Sequence, residues 1–196
     1  MDEEFRSLVY RLRDEAEGSG ASDAYERLVA VDDPEELAAV LTRGGQPLWA
    51  RELAAFRLGL AGDRRAFEAL VLLLNHRDPE RCVSAAYALA RLGDPRTARA
   101  AAALATNELR VAYALTPVRL LARLRAPESV PALVTVLERR LADPADPYWR
   151  VAVACAEGLG ALGDARARPV LEAARLRPRL APAATEALTR LGRPGP

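Results

Sequence analysis

The stretch "YALARLGDPRTARAAAAL", residues 87–104, contains the signals of two helices joined by a tight turn. Its apolar residues recur at intervals of three and four, which is the spacing of one face of an α-helix. Gly93 suits the left-handed conformation that often ends a helix, and Asp94 followed by Pro95 is typical of an N-cap and the first helical position. The stretch therefore predicts a helix pair in which Asp94 is a capping residue and not a catalytic acid.

Variants of this phrase recur along the chain with spacings of 30, 31, 32, 38 and 29 residues. The residues equivalent to Asp94 are Asp33, Asp63, Ala126, Asp164 and Arg193. A period of this length is typical of helical solenoids, in which each repeat is one supersecondary unit. Catalytic carboxylates would have to converge on one substrate, whereas these lie about 10 Å apart along one edge. We therefore interpret the aspartates as helix caps.

The apolar periodicity predicts a capping helix at about residues 2–17, followed by alternating outer and inner helices. Outer helices are predicted at about 22–31, 48–61, 79–92, 108–124, 148–162 and 180–191. Inner helices are predicted at about 34–43, 64–75, 95–106, 127–142 and 165–177. The predicted fold class is all-α, a right-handed α-α superhelix of about five helix pairs with an N-terminal capping helix. Residues 1–196 then form a single solenoid domain, with a cap (1–20), helix pairs (21–177) and a C-terminal capping helix and tail (178–196).

Composition excludes several classes of protein. No apolar run approaches the roughly 18–20 residues of a membrane span, and the acidic N-terminus is unlike an export signal, so we expect a cytoplasmic protein without membrane contact. Cys82 and Cys155 lack C-x-x-C spacing and are interpreted as small core residues. His76 is the single histidine, which excludes multi-histidine metal sites, and we interpret it as a solvated loop residue.

The sequence contains no phosphate-binding loop, dinucleotide-binding or serine-hydrolase motif. We assign no catalytic, cofactor-binding or metal-binding residue, and we expect no cofactor. Charge is distributed unevenly, with a net charge of −7 over residues 1–47 and +8 over residues 48–196. This pattern predicts an acidic cap on a mildly basic series of repeats.

The repeats resemble HEAT repeats, in particular the short bacterial HEAT-like repeats that are also found in phycobilisome-lyase proteins. The resemblance is carried by "AAYALARLGDP" (85–95), "CAEGLGALGDA" (155–165) and "APESVPALVTVL" (126–137), and by Pro131 and Pro169 in the first turn of their helices. It covers roughly residues 22–192 and implies the fold but no common chemistry. One repeat departs from the pattern, with Arg125 and Ala126 in place of Gly-Asp and Pro117 within a predicted helix, so a bend is expected there.

Candidate partner-binding residues lie along the edge formed by the loops between repeats. The segment "RRLADPADPYWR", residues 139–150, carries an insertion of about six residues, and insertions in repeat proteins often map to the binding face. The candidates are Gln46, Trp49, His76, Arg77, Asn107, Arg110, Tyr148 and Trp149. An aromatic and arginine patch of this kind anchors interfaces. In the alternative interpretation, the two tryptophans staple each outer helix to its predecessor.

A series of helix pairs with an extended surface and no deep closed pocket favours binding of a protein or peptide. We therefore expect a non-enzymatic scaffold or adaptor, of undetermined oligomeric state. The resemblance leaves open a bilin-lyase-like chaperone or lyase. A second alternative is nucleic-acid binding through the C-terminal arginines. These are Arg166, Arg168, Arg175, Arg177, Arg179, Arg190 and Arg193.

Overall fold

The computed structural model describes residues 3–192, with side chains from Phe5 onward, and this part of the chain is helical without strands. It contains twelve α-helices and three short 3-10 helices. None of the described helices has the length and apolar character that a membrane span requires. Between Thr97 and Ala98 the chain divides into two compact units, which we call the N-terminal and C-terminal units.

The N-terminal unit is built around α4. Its elements are α1 (Glu3–Gly18), α2 (Ser22–Val29), α3 (Pro34–Thr42), α4 (Leu48–Leu60), a 3-10 helix (Arg64–Ala66), α5 (Phe67–Leu74) and α6 (Pro79–Leu92). Helix α4 contacts α1, α2, α3, α5 and α6. It is apolar on most of its surface, with Leu53, Ala54 and Phe56 fully buried, because it has neighbours on several sides.

The C-terminal unit is built around α10 in the same way. The division falls within α7 (Arg96–Ala105), and the later elements are a 3-10 helix (Glu108–Tyr113), α8 (Leu115–Leu124), α9 (Ser129–Ala142), α10 (Trp149–Leu162), a 3-10 helix (Ala165–Ala167), α11 (Arg168–Arg175) and α12 (Ala181–Leu191). Helix α10 contacts α8, α9 and α12. Gly160 permits the closest of these contacts, since a Cβ there would lie 2.7 Å from the Cα of Ala187.

Most predicted helices are confirmed to within a few residues because their end signals are explicit. Gly93 ends α6 in the left-handed conformation with φ 66°, and Gly163 ends α10 with φ 76°. Asp94 then caps the next helical segment through its side chain. The all-helical fold class and the helix–turn–helix character of the repeats therefore follow the sequence prediction.

The outer helix predicted at residues 108–124 is confirmed only over its second half, and the bend expected in this repeat is present. A 3-10 helix covers Glu108–Tyr113, with a non-helical Arg110 (φ −128°), and α8 begins only at Leu115. The cause is Pro117, which lacks an N–H group and whose ring would clash with the carbonyl of Tyr113 in a continuous helix. Proline is tolerated in a first helical turn, so α8 starts shortly before it.

In the turn that lacks the Gly-Asp pair, a different residue hydrogen-bonds the backbone N–H and carbonyl groups. Arg125 ends α8 in the left-handed conformation (φ 52°), and no other non-glycine residue of the described chain has a positive φ. The buried Ser129 hydroxyl accepts a hydrogen bond from the N–H of Ala126 (3.2 Å) and donates to the carbonyl of Leu121 (2.7 Å). Ser129 thus ties the last turn of α8 to the loop, while the N-terminus of α9 has no side-chain cap.

A buried group of charges ties α1, α4 and α6 together, and we call it the Glu52 cluster. Glu52 is 1% exposed, and its carboxylate accepts hydrogen bonds from Arg11, Arg81 and the Ser84 hydroxyl. Arg81 also donates twice to Glu15 at 2.6 Å. Because every charge in the cluster has an opposite partner, its burial is compatible with a stable core.

Candidate functional site

The four predicted N-cap aspartates occupy the turns between helices. Each accepts a hydrogen bond from the backbone N–H two residues later, at 2.9–3.0 Å. In three turns that later residue is an arginine whose guanidinium returns to the same carboxylate: Arg65, Arg96 and Arg166. This guanidinium contact lowers the pKa of Asp63, Asp94 and Asp164. A charged, paired carboxylate is a poor proton donor, and the prediction that these residues are caps is confirmed.

The single histidine and both cysteines also have structural positions. His76 Nδ1 accepts a hydrogen bond from the N–H of Asp78 (3.0 Å), so the half-buried imidazole shapes the loop before α6. The buried Cys82 thiol donates to the carbonyl of His76 (3.1 Å). Burial raises the pKa of the Cys155 thiol well above its usual range, which leaves it unreactive. Within residues 3–192 no three His, Cys, Asp or Glu side chains are grouped as a metal site would require.

Four of the candidate partner-binding residues belong to the N-terminal unit. Trp49 is buried at the start of α4 and packs edge-on against Tyr25 of α2, with ring centroids 5.9 Å apart. Its indole therefore joins two successive outer helices, as the alternative interpretation of the tryptophans predicts. Gln46 and His76 are half-buried, and Arg77 is exposed.

The other four candidates lie in the C-terminal unit. Asn107 is exposed, and its side chain caps the 3-10 helix that follows it. The guanidinium of Arg110 lies 5.1 Å from the ring centroid of Tyr113. Tyr148 and Trp149 are half-buried at the start of α10, where the inserted loop ends. Of these eight residues, Trp149 lies in the cleft described next.

A cleft of about 460 Å³ lies beside the insertion. Its walls are the end of α9, the inserted loop (143–148), the first turns of α10 and the turn between α11 and α12 (176–180), and we call it the loop cleft. The polar and aromatic residues that line it are Arg140, Asp143, Asp146, Trp149, Arg177 and Arg179. Pro144, Ala152, Pro178 and Leu180 contribute apolar surface. All of these residues belong to the C-terminal unit.

The acidic residues of the loop cleft are used to fold the loop. Asp143 and Asp146 each accept a hydrogen bond from the backbone N–H two residues later, at 2.8 and 2.6 Å. Asp146 also pairs with Arg140 at 2.9 Å, and the second terminal nitrogen of Arg140 pairs with Glu108 at 2.6 Å. Both carboxylates are therefore engaged within the chain before anything enters the cleft.

The arginines on the opposite wall are not neutralised in this way. Arg177 donates to the carbonyl of Leu141 at 2.7 Å, which holds its guanidinium against the end of α9. Arg179 and Arg150 lie 5.7 and 5.2 Å from the ring centroid of Trp149. In the described part of the chain no carboxylate pairs with Arg177 or Arg179, whereas Arg140 has two. The cleft thus presents cationic donors beside an aromatic surface.

The described C-terminal arginines differ in their partners. Three are paired with nearby acids: Arg166 with Asp164, Arg175 with Glu172 and Arg190 with Glu186. Arg177 and Arg179 line the loop cleft, Arg168 is exposed, and Arg193 lies outside the described residues. Their sequence spacing predicted a basic cluster but not their division between local ion pairs and the cleft. The run "LRPRL" (176–180) beside an inserted loop is the signal that could have located the cleft.

Taken with the repeated turns, these features define an α-helical repeat protein in which one turn is enlarged. Residues 151–175, which cover most of α10 and all of α11, match the family model of the PBS lyase HEAT-like repeat. Over these residues the resemblance to HEAT repeats is confirmed. No curated protein matches the chain.

Proposed function

We propose that this chain is a non-enzymatic HEAT-repeat scaffold that binds a protein or peptide partner in the loop cleft. The observation that carries the proposal is the position of the cleft, at the inserted loop that breaks the repeat. The turns at Asp33, Asp63, Asp94 and Ser129 are short, and these side chains hydrogen-bond the backbone of their own turns. The insertion adds concave surface that the helix pairs do not need for packing.

The dimensions and chemistry of the loop cleft support binding. Its volume of about 460 Å³ falls in the range of about 300–1,000 Å³ that ligand sites occupy. Tryptophan and arginine are the side chains most enriched at the energetic centres of interfaces, and Trp149 lies with Arg179 at this site. The half-exposed indole offers apolar area at low cost in conformational entropy, because it has only two rotatable bonds.

The described side chains give less support to catalysis. A nucleophile needs an adjacent base, and the buried thiol of Cys155 and the turn-forming imidazole of His76 supply no such pair. The aspartates are engaged as caps. A bilin-lyase-like role is the second candidate function, and the description of the matching family model favours it. Co-expression with a bilin and a candidate acceptor protein tests it, since a lyase or chaperone yields bound pigment.

The arrangement of the repeats as a right-handed superhelix of about five helix pairs in one domain stays a prediction, as does the cytoplasmic location. The proposed function requires only that the C-terminal unit keep its fold. It therefore concerns α9 to α12 and the turns that join them.

Panning a displayed random-peptide library on the immobilised protein tests the proposal. We expect selected peptides to lose binding to Trp149→Ala, which removes the aromatic wall, and to Ala145→Trp, which fills the cleft from its exposed rim. Tyr10→Ala is the matched control, because it removes an exposed aromatic ring from α1. Circular dichroism melting verifies that each variant is folded. Failure to select any peptide, or equal binding to all three variants, would refute the proposal.

A further inference from the structure

We infer that the occupant of the loop cleft is an acidic peptide segment whose carboxylates engage Arg177 and Arg179 and whose apolar side chain lies against Trp149. This inference rests on the proposed function and specifies the chemistry of the partner. It follows from the charges that line the cleft, from the position of its aromatic ring and from a donor group that lacks an acceptor.

The charge balance of the cleft favours an anionic occupant. Asp143 and Asp146 are engaged by backbone N–H groups, and Asp146 also by Arg140. Arg177 uses one donor on the carbonyl of Leu141 and, unlike Arg140, has no described carboxylate beside it. A guanidinium has five N–H donors, so most of those on Arg177 remain available to an acceptor inside the cleft.

Arg140 supplies a second indication. Its side chain is 10% exposed, and both terminal nitrogens pair with carboxylates, yet its buried Nε has no hydrogen-bond partner in the described structure. Buried donors in folded proteins are almost always satisfied. The donor that the chain leaves unpaired therefore belongs to a residue that lines the cleft.

The aromatic ring explains why a peptide fits better than a free anion. Arg150 and Arg179 lie beside the indole of Trp149, and stacking of this kind leaves the edges of each guanidinium open for bidentate contact with a carboxylate. Trp149, Pro178 and Leu180 provide apolar surface next to those donors. A segment that combines a carboxylate with an adjacent apolar side chain satisfies both halves of the site.

The same residues count against a nucleic acid. A phosphate backbone carries a charge at every nucleotide and needs a row of unpaired cations along its path, whereas this cleft offers Arg177 and Arg179. Three of the neighbouring arginines are already paired with acids. Base stacking also requires aromatic surfaces along a groove, and Trp149 is the one aromatic side chain that lines this cleft.

The test uses three fluorescently labelled probes with the full chain. They are a synthetic peptide in which pairs of glutamates alternate with phenylalanine or leucine, its counterpart with every glutamate replaced by glutamine, and a single-stranded oligothymidylate of similar length. Fluorescence anisotropy gives each dissociation constant at low and high salt. We expect the glutamate peptide to bind at least about tenfold more tightly than the glutamine peptide, and its affinity to fall as salt is raised.

Substitutions then locate the contact. Arg177→Gln and Arg179→Gln should each weaken binding of the glutamate peptide about tenfold, because each removes one charge-assisted contact. Arg168→Gln is the matched control, since Arg168 is an exposed arginine of the same segment that does not line the cleft. It should change the affinity less than about twofold.

Four results would overturn the inference: no binding of the glutamate peptide, equal affinity for the two peptides, an equal effect of Arg168→Gln and Arg179→Gln, or tighter binding of the oligothymidylate. These results are separable from failure of the proposed function. If library peptides bind in a Trp149-dependent manner but carry no acidic residues, the scaffold function stands and the acidic chemistry is wrong. If the library yields no peptide, the proposed function fails as well.

Discussion

Replacing Glu52 with glutamine tests whether the Glu52 cluster holds α1 against α4 and α6. The substitution preserves the shape of the side chain, removes its charge and turns one acceptor into a donor that faces two guanidinium groups. Arg11 and Arg81 both donate to this carboxylate in the native protein. The mutant therefore leaves buried donors without their acceptor, which is costlier than losing a contact at the surface.

The expected magnitude follows from what remains of the cluster. Breaking a buried ion pair costs about 3–5 kcal/mol. We expect the lower end, about 3 kcal/mol, because Arg81 keeps its two contacts with Glu15 and Arg11 keeps Glu15 at 3.2 Å and Glu80 at 3.4 Å. For a chain of this size that loss corresponds to a decrease in the melting temperature of about 6–12 °C.

Thermal and urea unfolding followed by circular dichroism measure the effect. Glu80→Gln is the matched control, because Glu80 also pairs with Arg11 but is 75% exposed. An exposed pair contributes about 0–1 kcal/mol, so the control should melt close to the native protein. If Glu52→Gln and Glu80→Gln change the melting temperature equally, the reasoning about burial is wrong.

Three further predictions concern the turns and the core. Gly160→Ala should lower the free energy of unfolding by about 1–2 kcal/mol in urea titrations, since overpacking against Ala187 outweighs the gain in helix propensity. Gly192→Ala is the control and should not lower it, because its Cβ meets nothing closer than 3.7 Å. Asp94→Ala should cost about 1–2 kcal/mol at neutral pH. Because the pKa of Asp94 is lowered on folding, this difference should shrink below the ordinary carboxyl pKa of about 3.9, and a persistent difference at lower pH would contradict the ionic contribution. Iodoacetamide should label Cys155 only after unfolding, as mass spectrometry would show, and labelling of the native protein would contradict its burial.

The helices are predictable from the sequence where local signals decide the backbone conformation. Residues 79–92 were predicted as a helix and form one with those bounds, because Asp78 and Pro79 begin it and Gly93 ends it. The prediction of one continuous helix failed at residues 108–124, because an α-helix that contains Pro117 in its first turn cannot extend back to residue 108. Local pattern thus predicts helix ends best when a capping residue and a glycine both mark them.

The site could be predicted only in part. The insertion and Trp149 were recognised from the broken period, since a change in repeat length is visible in the sequence. Arg140, Arg177 and Arg179 were not assigned to a cleft, because their meeting depends on how α9, α10 and the turn at 176–180 pack together. The burial of Glu52 could not be predicted either, because it also depends on how helices pack together. Nothing in its local sequence distinguishes it from an exposed glutamate.

The Asp-x-Arg turn has a consequence for how such a chain changes over generations. In the turns that contain Arg65, Arg96 and Arg166, the capping carboxylate and its guanidinium partner lie two residues apart, so each turn carries its own electrostatic balance. Duplication or deletion of a repeat adds or removes both groups together, so the net charge of the turns stays balanced. The loop cleft lacks this modularity, because its charged side chains come from the end of α9, the inserted loop and the turn at 176–180. The number of repeats can therefore change without upsetting the charge balance of these turns, whereas the cleft requires all of its segments together.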